Sequence, residues 1–419
     1  MIAWAAPPRE ALPGQGPPVL LHDSASGQLR KAAAGGVASL YVCGVTPYDA
    51  AHLGHAATYV AFDLLHRAWL DAGLSVRYVQ NVTDVDDPLL ERAAQTGEDW
   101  RHLAARQLDV FRDGMAALAV LPPDVFLGVS ESIDLIADAV RRLLASGAAY
   151  TVANDEPHDQ ATDQPDIYAD IWQDARFGSV AHLSPAAMTD VFAARGGDPQ
   201  RPGKRHPLDP LLWRSERPGE PAWQVPGLPA GRPGWHIECV ALTLAHLGPE
   251  FDVQGGGSDL AFPHHEMGAS HARMLTGADY ARVYAHSGMV GLDGEKMSKS
   301  RGNLVFVHRA LAGGLDPAAL RLALLAHHYR SDWSWSEAQA AVATERLSRW
   351  RAATSRPAGP AADRVLAAVR TALAADLDAP AALRAVDDWV ATQLGDGGTD
   401  PASPELVSRT AYTLLGVQL

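Results

Sequence analysis

Residues 38–55 read Ala-Ser-Leu-Tyr-Val-Cys-Gly-Val-Thr-Pro-Tyr-Asp-Ala-Ala-His-Leu-Gly-His. The run Ala38–Cys43 predicts a buried strand, Gly44–Gly54 a loop, and the residues from His55 onward a helix through Tyr59, Leu64, Leu65 and Trp69. Val76–Val82 is a second apolar run suited to a parallel strand. Strand, loop, helix and strand in about 40 residues make a βαβ unit. A Rossmann-like parallel sheet is therefore expected, with its site at the carboxyl ends of the strands. His52-Leu53-Gly54-His55 falls where strand gives way to helix. A helix start offers free N–H groups and a positive dipole end to a phosphate. Gly54 permits close approach of a nucleotide, and two imidazoles can donate to phosphate oxygens. In isolation, two histidines that merely cap a helix would look the same.

Outward from this unit, a short strand is expected at Val19–Leu21, with a turn at Ser26-Gly27 before the Ala38–Cys43 strand. Helices are expected at 98–119 and 131–146, the second from the spacing of Ile133, Ile136, Val140, Leu143 and Leu144. Residues 151–180 and 195–234 show no period and are rich in Pro, Gly and charge. A helix at 236–247, a strand at Phe251–Gln254, a turn at Gly255–Gly257, a helix at 263–275 and a strand at Val283–Ala285 follow, then a loop over 286–303. From Asp316 the pattern is helical to the end, broken by a linker at Thr354–Pro360. The expected organisation is a catalytic domain over 1–315, with an irregular insertion at about 151–234, and a helical domain over 316–419.

Composition narrows the function. With 47% hydrophobic and 20% charged residues, a long disordered chain is excluded. The two cysteines, Cys43 and Cys239, have no paired spacing and exclude a disulfide scaffold. A net charge of −14 argues against non-specific nucleic-acid binding. No apolar run reaches the roughly 18 residues of a membrane span. Met1–Pro18 lacks the basic start and apolar core of a signal peptide, so a cytoplasmic, reducing location is expected.

Lysine is nearly absent: Lys31, Lys204, Lys296 and Lys299 are the whole set. Two of them fall in Lys296-Met297-Ser298-Lys299-Ser300, near Gly294 and Gly302, where paired ammonium groups suit a triphosphate and a leaving pyrophosphate. Alone, this would read as a solvated loop; with His52–His55 upstream, phosphate chemistry is the better reading. Cys43, Cys239 and the pair His264-His265 offer thiolate and imidazole, the preferred zinc ligands. Spacing alone fits two buried, inert thiols equally well. Gly255-Gly256-Gly257-Ser258-Asp259 suits either a ribose edge or a plain turn.

Taken together, the chain resembles the cysteinyl-tRNA synthetase family, a class I synthetase group, over about residues 19–335. The resemblance rests on Cys43-Gly44 with His52–His55, Asn81–Asp87, Arg195–Pro199, Lys204-Arg205, Pro207–Asp209, Gly234–Cys239, Gly255–Asp259, Phe262–Glu266, His286–Val290 and Lys296–Ser300. It implies an α/β fold: a Rossmann-like class I synthetase catalytic domain of the H-x-G-H/K-M-S-K-S type, followed by a short α-helical bundle domain. It further implies that Cys43, Cys239 and His264 hold one zinc ion, which reads the cysteine sulfur that serine lacks. It gives His52, His55, Lys296 and Lys299 the catalytic contacts to ATP, with Mg²⁺. It assigns the cysteinyl-adenylate pocket to Cys43, Gly44, Val45, Thr46, Thr58, Asn81, Val82, Thr83, Trp235, Gly257, Ser258, Asp259 and Val290.

Departures from the synthetase pattern point to one branch of the family. The fourth zinc position, Glu in the synthetases, is Gly268; the loop after Cys43 reads Val-Thr-Pro-Tyr; position 57 is Ala. Only 84 residues follow Trp335, with 8 Arg, no Lys and 10 acidic residues, a net charge of −2 that suits an anticodon reader poorly. These features resemble the mycothiol-pathway ligases, which join L-cysteine to the amine of glucosaminyl-inositol through cysteinyl-AMP. The resemblance implies small-molecule substrates (L-cysteine, ATP, glucosaminyl-inositol), no tRNA, no membrane and a monomer. Asp86, Asp87 and Glu238 are candidates for a base in the amine step, although acids at helix starts are commonly caps. Arg195–Pro199 is a candidate lid. A truncated cysteinyl-tRNA synthetase, a zinc-free nucleotidyltransferase and an inactive binding paralogue are the alternatives.

Overall fold

A computed structural model describes residues 1–154, 164–297 and 302–419. After the hairpin β1 (Leu20–Asp23) and β2 (Gln28–Lys31), the chain enters β3 (Val37–Val42), α1 (Leu53–Asp71) and β4 (Ser75–Val82). Then come α2 (Asp87–Thr96), α3 (Trp100–Ala117), β5 (Val125–Gly128), α4 (Ile133–Ser146), β6 (Ala149–Val152), β7 (Asp166–Ala169), α5 (Pro185–Ala194), β8 (Leu211–Ser215) and β9 (Gly231–Pro233). The second half of the nucleotide-binding fold is α6 (Trp235–His246), β10 (Phe251–Gly257), α7 (Glu266–Thr276) and β11 (Ala281–Ser287). The remainder is β12 (Val290–Leu292), β13 (Glu295–Lys296), α8 (Val307–Ala312), α9 (Pro317–Leu325), β14 (Trp333–Trp335) and the helices α10 (Glu337–Thr354), α11 (Asp363–Ala374), α12 (Ala379–Gly395) and α13 (Ser403–Leu415).

The central sheet is parallel, in the order β11-β10-β3-β4-β5. From β3 the chain winds one way through β4 to β5, and β10 and β11 are added on the other side. Strand order thus reverses between β3 and β10, where a crevice must open at the carboxyl ends. The expected βαβ unit is present, and the reversal point is where Cys43 and Gly255–Gly257 end their paired strands.

Several expectations need correction. Gly255–Gly257 is not a turn but the end of β10. A Cβ on Gly255 would lie 2.6 Å from the Phe62 ring, and one on Gly256 2.9 Å from His265, so glycine lets the strand pass under both rings. The turn at Ser26-Gly27 closes the β1–β2 hairpin, whose second strand is exposed, polar and without an apolar signal. The stretch 151–234 is not irregular throughout: among its described residues and the neighbouring Ala149-Tyr150, β6, β7, β8 and β9 form an antiparallel sheet. Its strands have only 3–5 residues, too short to show a period, and Asp166 ties them by accepting from Ser215 N and Arg217 at 2.9 Å each. The loop after β11 contains the β12–β13 hairpin, and α2 had no periodic signal.

A continuous apolar core runs from β3 and α1 into α9–α13. Inside it lies Asp63 of α1, wholly buried between Arg67 and Arg321. Arg67 Nη1 donates to the carbonyls of Tyr412 (2.9 Å) and Thr413 (3.1 Å), and Arg321 Nη1 to that of Leu118 (2.6 Å). Burial alone would raise the Asp63 pKa, but the two guanidiniums and the Leu121 N–H hold it below its usual value. Asp63→Asn would leave Arg321 buried beside one guanidinium with no counter-charge. Chemical unfolding should show a loss of about 3–5 kcal/mol; a loss below about 1 kcal/mol would contradict the assignment. Because the carboxylate pKa is depressed, its contribution is complete at neutral pH and disappears only as pH falls below about 3.9.

Candidate active site

Cys43 leaves β3 with its N–H on Gly255 O (3.2 Å) and its carbonyl held by Tyr59 OH (3.1 Å). The next residue must be glycine: a Cβ on Gly44 would sit 1.6 Å from Asn81 O. Asn81 Oδ1 accepts from Gly44 N (2.8 Å) and Tyr41 OH (3.0 Å), and its amide donates to Thr83 Oγ1 (3.1 Å). Thr83 N in turn donates to Val45 O (3.0 Å). The exits of β3 and β4 are thereby locked together, with Thr46 half-buried at the rim. The Val82 side chain is in the core, so only its backbone faces this site.

His52 is the N-cap of α1, its Nδ1 accepting from Gly54 N at 3.1 Å. His55 stacks on it with ring centroids 3.9 Å apart, and its buried Nδ1 has no partner among the described residues. Burial lowers both pKa values, that of His55 further because it is more deeply buried, with the adjacent His52 adding to the effect. Both rings are therefore neutral at pH 7 and act as N–H donors rather than cations. Thr58 shares a 2.7 Å hydrogen bond with Ser287, linking α1 to β11.

The segment that follows the lysine motif packs against the histidine motif. The β12–β13 hairpin ends at Lys296, and the chain returns so that Phe306 bridges His52 and Leu53 N donates to Val305 O (2.9 Å). Lys299 lies outside the described residues. Val290 is buried in β12.

Cys43, Cys239 and His264 converge from β3, α6 and the segment before α7. One donor atom from each lies within 4.8 Å of the other two, and all three residues are buried. Burial pushes the Cys43 thiol up, whereas hydrogen bonding to Cys43 and the nearby His264 ring pull Cys239 down. His264 Nε2 is 3.2 Å from Cys239 Sγ, its Nδ1 is 3.1 Å from His236 Nδ1, and Trp235 stacks on it at 4.4 Å. At the fourth synthetase position, a Cβ on Gly268 would point at Val240 and Tyr280, 3.5 and 3.9 Å away.

Sequence reasoning missed the shell around these donors. Gln254 Nε2 reaches Cys43 Sγ (3.3 Å) and His265 Nε2 (3.1 Å). His265 Nε2 also lies 3.3 Å from Cys43 Sγ, its Nδ1 is 2.8 Å from His286 Nε2, and His286 Nδ1 is 2.7 Å from Ser24 Oγ. Such partners orient metal ligands, but Gln254 in a buried strand carries no sequence signal of it. Arg195 donates to the carbonyls of Asp259 and Phe262, and Asp198 accepts from Tyr168 and from Lys204 at 2.8 Å. The candidate lid is thus anchored against the Ser258–Asp259 edge. Asp86 caps α2, Asp87 pairs with Arg232, and Glu238 is buried in the first turn of α6.

The sequence profile of the class I (C) tRNA synthetases catalytic domain matches residues 30–345. Among solved structures, methionyl-tRNA synthetase of Mycobacterium tuberculosis with methionyl-adenylate superposes with a TM-score of 0.62 at 20% identity, covering 90% of this chain and 89% of that one. At this identity the likeness shows the fold alone. An L-cysteine:1D-myo-inositol 2-amino-2-deoxy-alpha-D-glucopyranoside ligase of Kineococcus radiotolerans is 59% identical, and one of Streptomyces griseus 58%, each over 100% of both chains. The crevice at the β3–β10 reversal, the capped His52–His55 helix start and these end-to-end matches agree: the chain belongs to the class I (C) tRNA synthetase catalytic-domain family, in the branch formed by the cysteine:glucosaminyl-inositol ligases.

Proposed function

We propose that this chain is an ATP-dependent, AMP-forming ligase that activates L-cysteine as cysteinyl-AMP. It then passes the cysteinyl group to the amine of 1-D-myo-inosityl 2-amino-2-deoxy-alpha-D-glucopyranoside, giving the cysteinyl amide precursor of mycothiol. The observation that carries this reading is the buried Cys43–Cys239–His264 cluster at the end of β3, the strand from which the chain passes to the phosphate-suited start of α1, in a chain matched end to end by such ligases.

Two thiols and an imidazole, buried within reach of one another, are a donor set that fits Zn²⁺. When bound, zinc supplies a soft Lewis-acid position for the substrate thiolate, which a serine hydroxyl fills poorly. The rest of the chemistry falls to the chain and its substrates. Asn81, Thr83, Trp235, Gly44–Thr46, Thr58, Gly257–Asp259 and Val290 would form the pocket for the cysteinyl adenylate. A carboxylate oxygen of cysteine attacks the α-phosphorus and pyrophosphate leaves. His52, His55 and the α1 N-terminus donate N–H groups to phosphate oxygens. Lys296, Lys299 and the Mg²⁺ accompanying ATP would balance the phosphate charge. The sugar amine then attacks the acyl carbon, the bond to AMP breaks, AMP leaves with its electron pair, and the nitrogen loses a proton.

The acidic C-terminal helices favour a small acceptor over tRNA. No helix among the described residues is long and apolar enough to cross a membrane, and we place the enzyme in the cytoplasm as a monomer.

The reading is tested with ATP and labelled cysteine in parallel tubes, one with glucosaminyl-inositol and one with total tRNA. Label on the amino sugar alone is expected; label on tRNA alone would make the chain a compact synthetase. Cys239→Ser should lower zinc content and cysteine activation together, and full zinc occupancy in that variant would remove Cys239 from the ligand set. Lys299→Ala should slow ATP–pyrophosphate exchange by about 100-fold or more with zinc retained; unchanged exchange would refute its phosphate role.

A further inference from the structure

The exit of β11 is held from outside the catalytic sheet. Ser287 ends that strand beside α1: its hydroxyl shares the 2.7 Å hydrogen bond with Thr58, one turn after His55, and lies 3.5 Å from Gly256 O of β10. Gly288 and Met289 then lead into β12. Both are clasped by the turn between α9 and β14. Gly288 N donates to Tyr329 O (2.7 Å), Met289 N to Asp332 Oδ1 (2.7 Å), and Trp333 N to Met289 O (3.1 Å). The two backbones approach so closely that a Cβ on Gly288 would fall 2.3 Å from Ser331 O. Both backbone polar groups of Met289 are thus engaged by this turn, and Val290 pairs with Trp333 across β12 and β14. Where the turn sits decides where Val290 sits.

A carboxylate of the C-terminal helices fixes the turn. Asp376 lies between α11 and α12, 5% exposed, with its backbone in the left-handed region at φ 59°. Its Oδ1 accepts from Tyr329 OH and from His22 N of β1, each at 2.9 Å. Its Oδ2 accepts from Arg330 Nε (2.7 Å) and Nη2 (2.6 Å). A charged fork of this kind fixes direction as well as distance. Asp376 N also donates to Leu20 O (3.0 Å), and β1 is bonded to β11 through Asp23 Oδ1 and Tyr284 N (2.9 Å). One side chain therefore ties two neighbouring residues of the turn to a strand already fastened to β11. It acts at one remove: its bonds go to the turn and to β1, and the turn meets Gly288 and Met289.

We propose that Asp376 is a positioning residue for the nucleotide. By holding the 329–333 turn against Gly288-Met289 it sets the wall of the adenylate pocket at Val290. The C-terminal helices thereby govern the affinity for ATP, whereas the thiol cluster governs that for cysteine. This rests on the adenylation half of the ligase reading above.

Asp376→Asn tests it. Asparagine tolerates the left-handed backbone and keeps an acceptor for Tyr329 and His22, but loses the charge that holds Arg330. In ATP–pyrophosphate exchange its KM for ATP should rise by about 5- to 20-fold. Its kcat and its KM values for cysteine and pyrophosphate should stay within about twofold. Asp332 is exposed, and Asp332→Ala, which releases Met289 N, should raise the ATP KM likewise. Asp332→Asn, which keeps the acceptor oxygen, should restore it. Because both residues act through one turn, Asp376→Asn combined with Asp332→Ala should give less than the product of the two single effects. An unchanged ATP KM in Asp376→Asn would overturn the proposal. So would a loss shared by kcat and the cysteine KM, which is a general loosening, and so would single effects that multiply in full, which would remove the turn as the route. Wild-type enzyme without cysteine-dependent exchange would instead overturn the adenylation reading itself.

Discussion

Two thiols and an imidazole, from segments as far apart as Cys43 and His264, must meet within 4.8 Å in a place closed to water. Much of the surrounding structure meets that demand. Gly44 allows the exits of β3 and β4 to touch through Asn81. The glycines of β10 let Phe62 and His265 close over the strand. The chain Gln254–His265–His286–Ser24 holds each ring at both nitrogens, so the donors beside Cys43 cannot swivel. Burial keeps the His265 and His286 rings neutral, the latter pKa pushed down to about 4, consistent with that order.

Helix α1 couples this site to the rest of the molecule. Its first turn presents His52 and His55, its middle passes under Gly255 through Phe62, and its buried Asp63 engages Arg321 of α9. Arg67 carries the connection to the carbonyls at the end of α13. The helical C-terminal segment is therefore an extension of the catalytic core, packed through one apolar cluster. The segment after the lysine motif is anchored to the same helix start by the Phe306–His52 bridge. Residues that are separate motifs along the sequence thus share one scaffold.

What was legible in the sequence followed from period and chemistry. The strand–loop–helix–strand unit at 38–82 is long and apolar enough to declare itself, and it leads directly to the β3–β10 crevice. The thiols and His264 were legible as donors by residue type, although their meeting is a tertiary fact. The β6–β9 sheet was not legible, since its strands are held by Asp166 and neighbouring side chains rather than by alternation. The β10 glycines read as a turn because glycine's use for close packing and its use in turns look alike in sequence. Asp63 and Arg321 gave no warning either: a buried charge is invisible until its partners are known.

The central claim is that the Cys43–Cys239–His264 cluster holds zinc and reads the substrate through its sulfur. X-ray absorption at the zinc edge, on enzyme loaded with one equivalent of zinc, tests it most directly. The account predicts two sulfur neighbours at about 2.3 Å without substrate and three when L-cysteine is added, with no change on adding L-serine. A sulfur count that stays the same on adding cysteine would contradict it, and would move selectivity from the metal to the walls of the pocket.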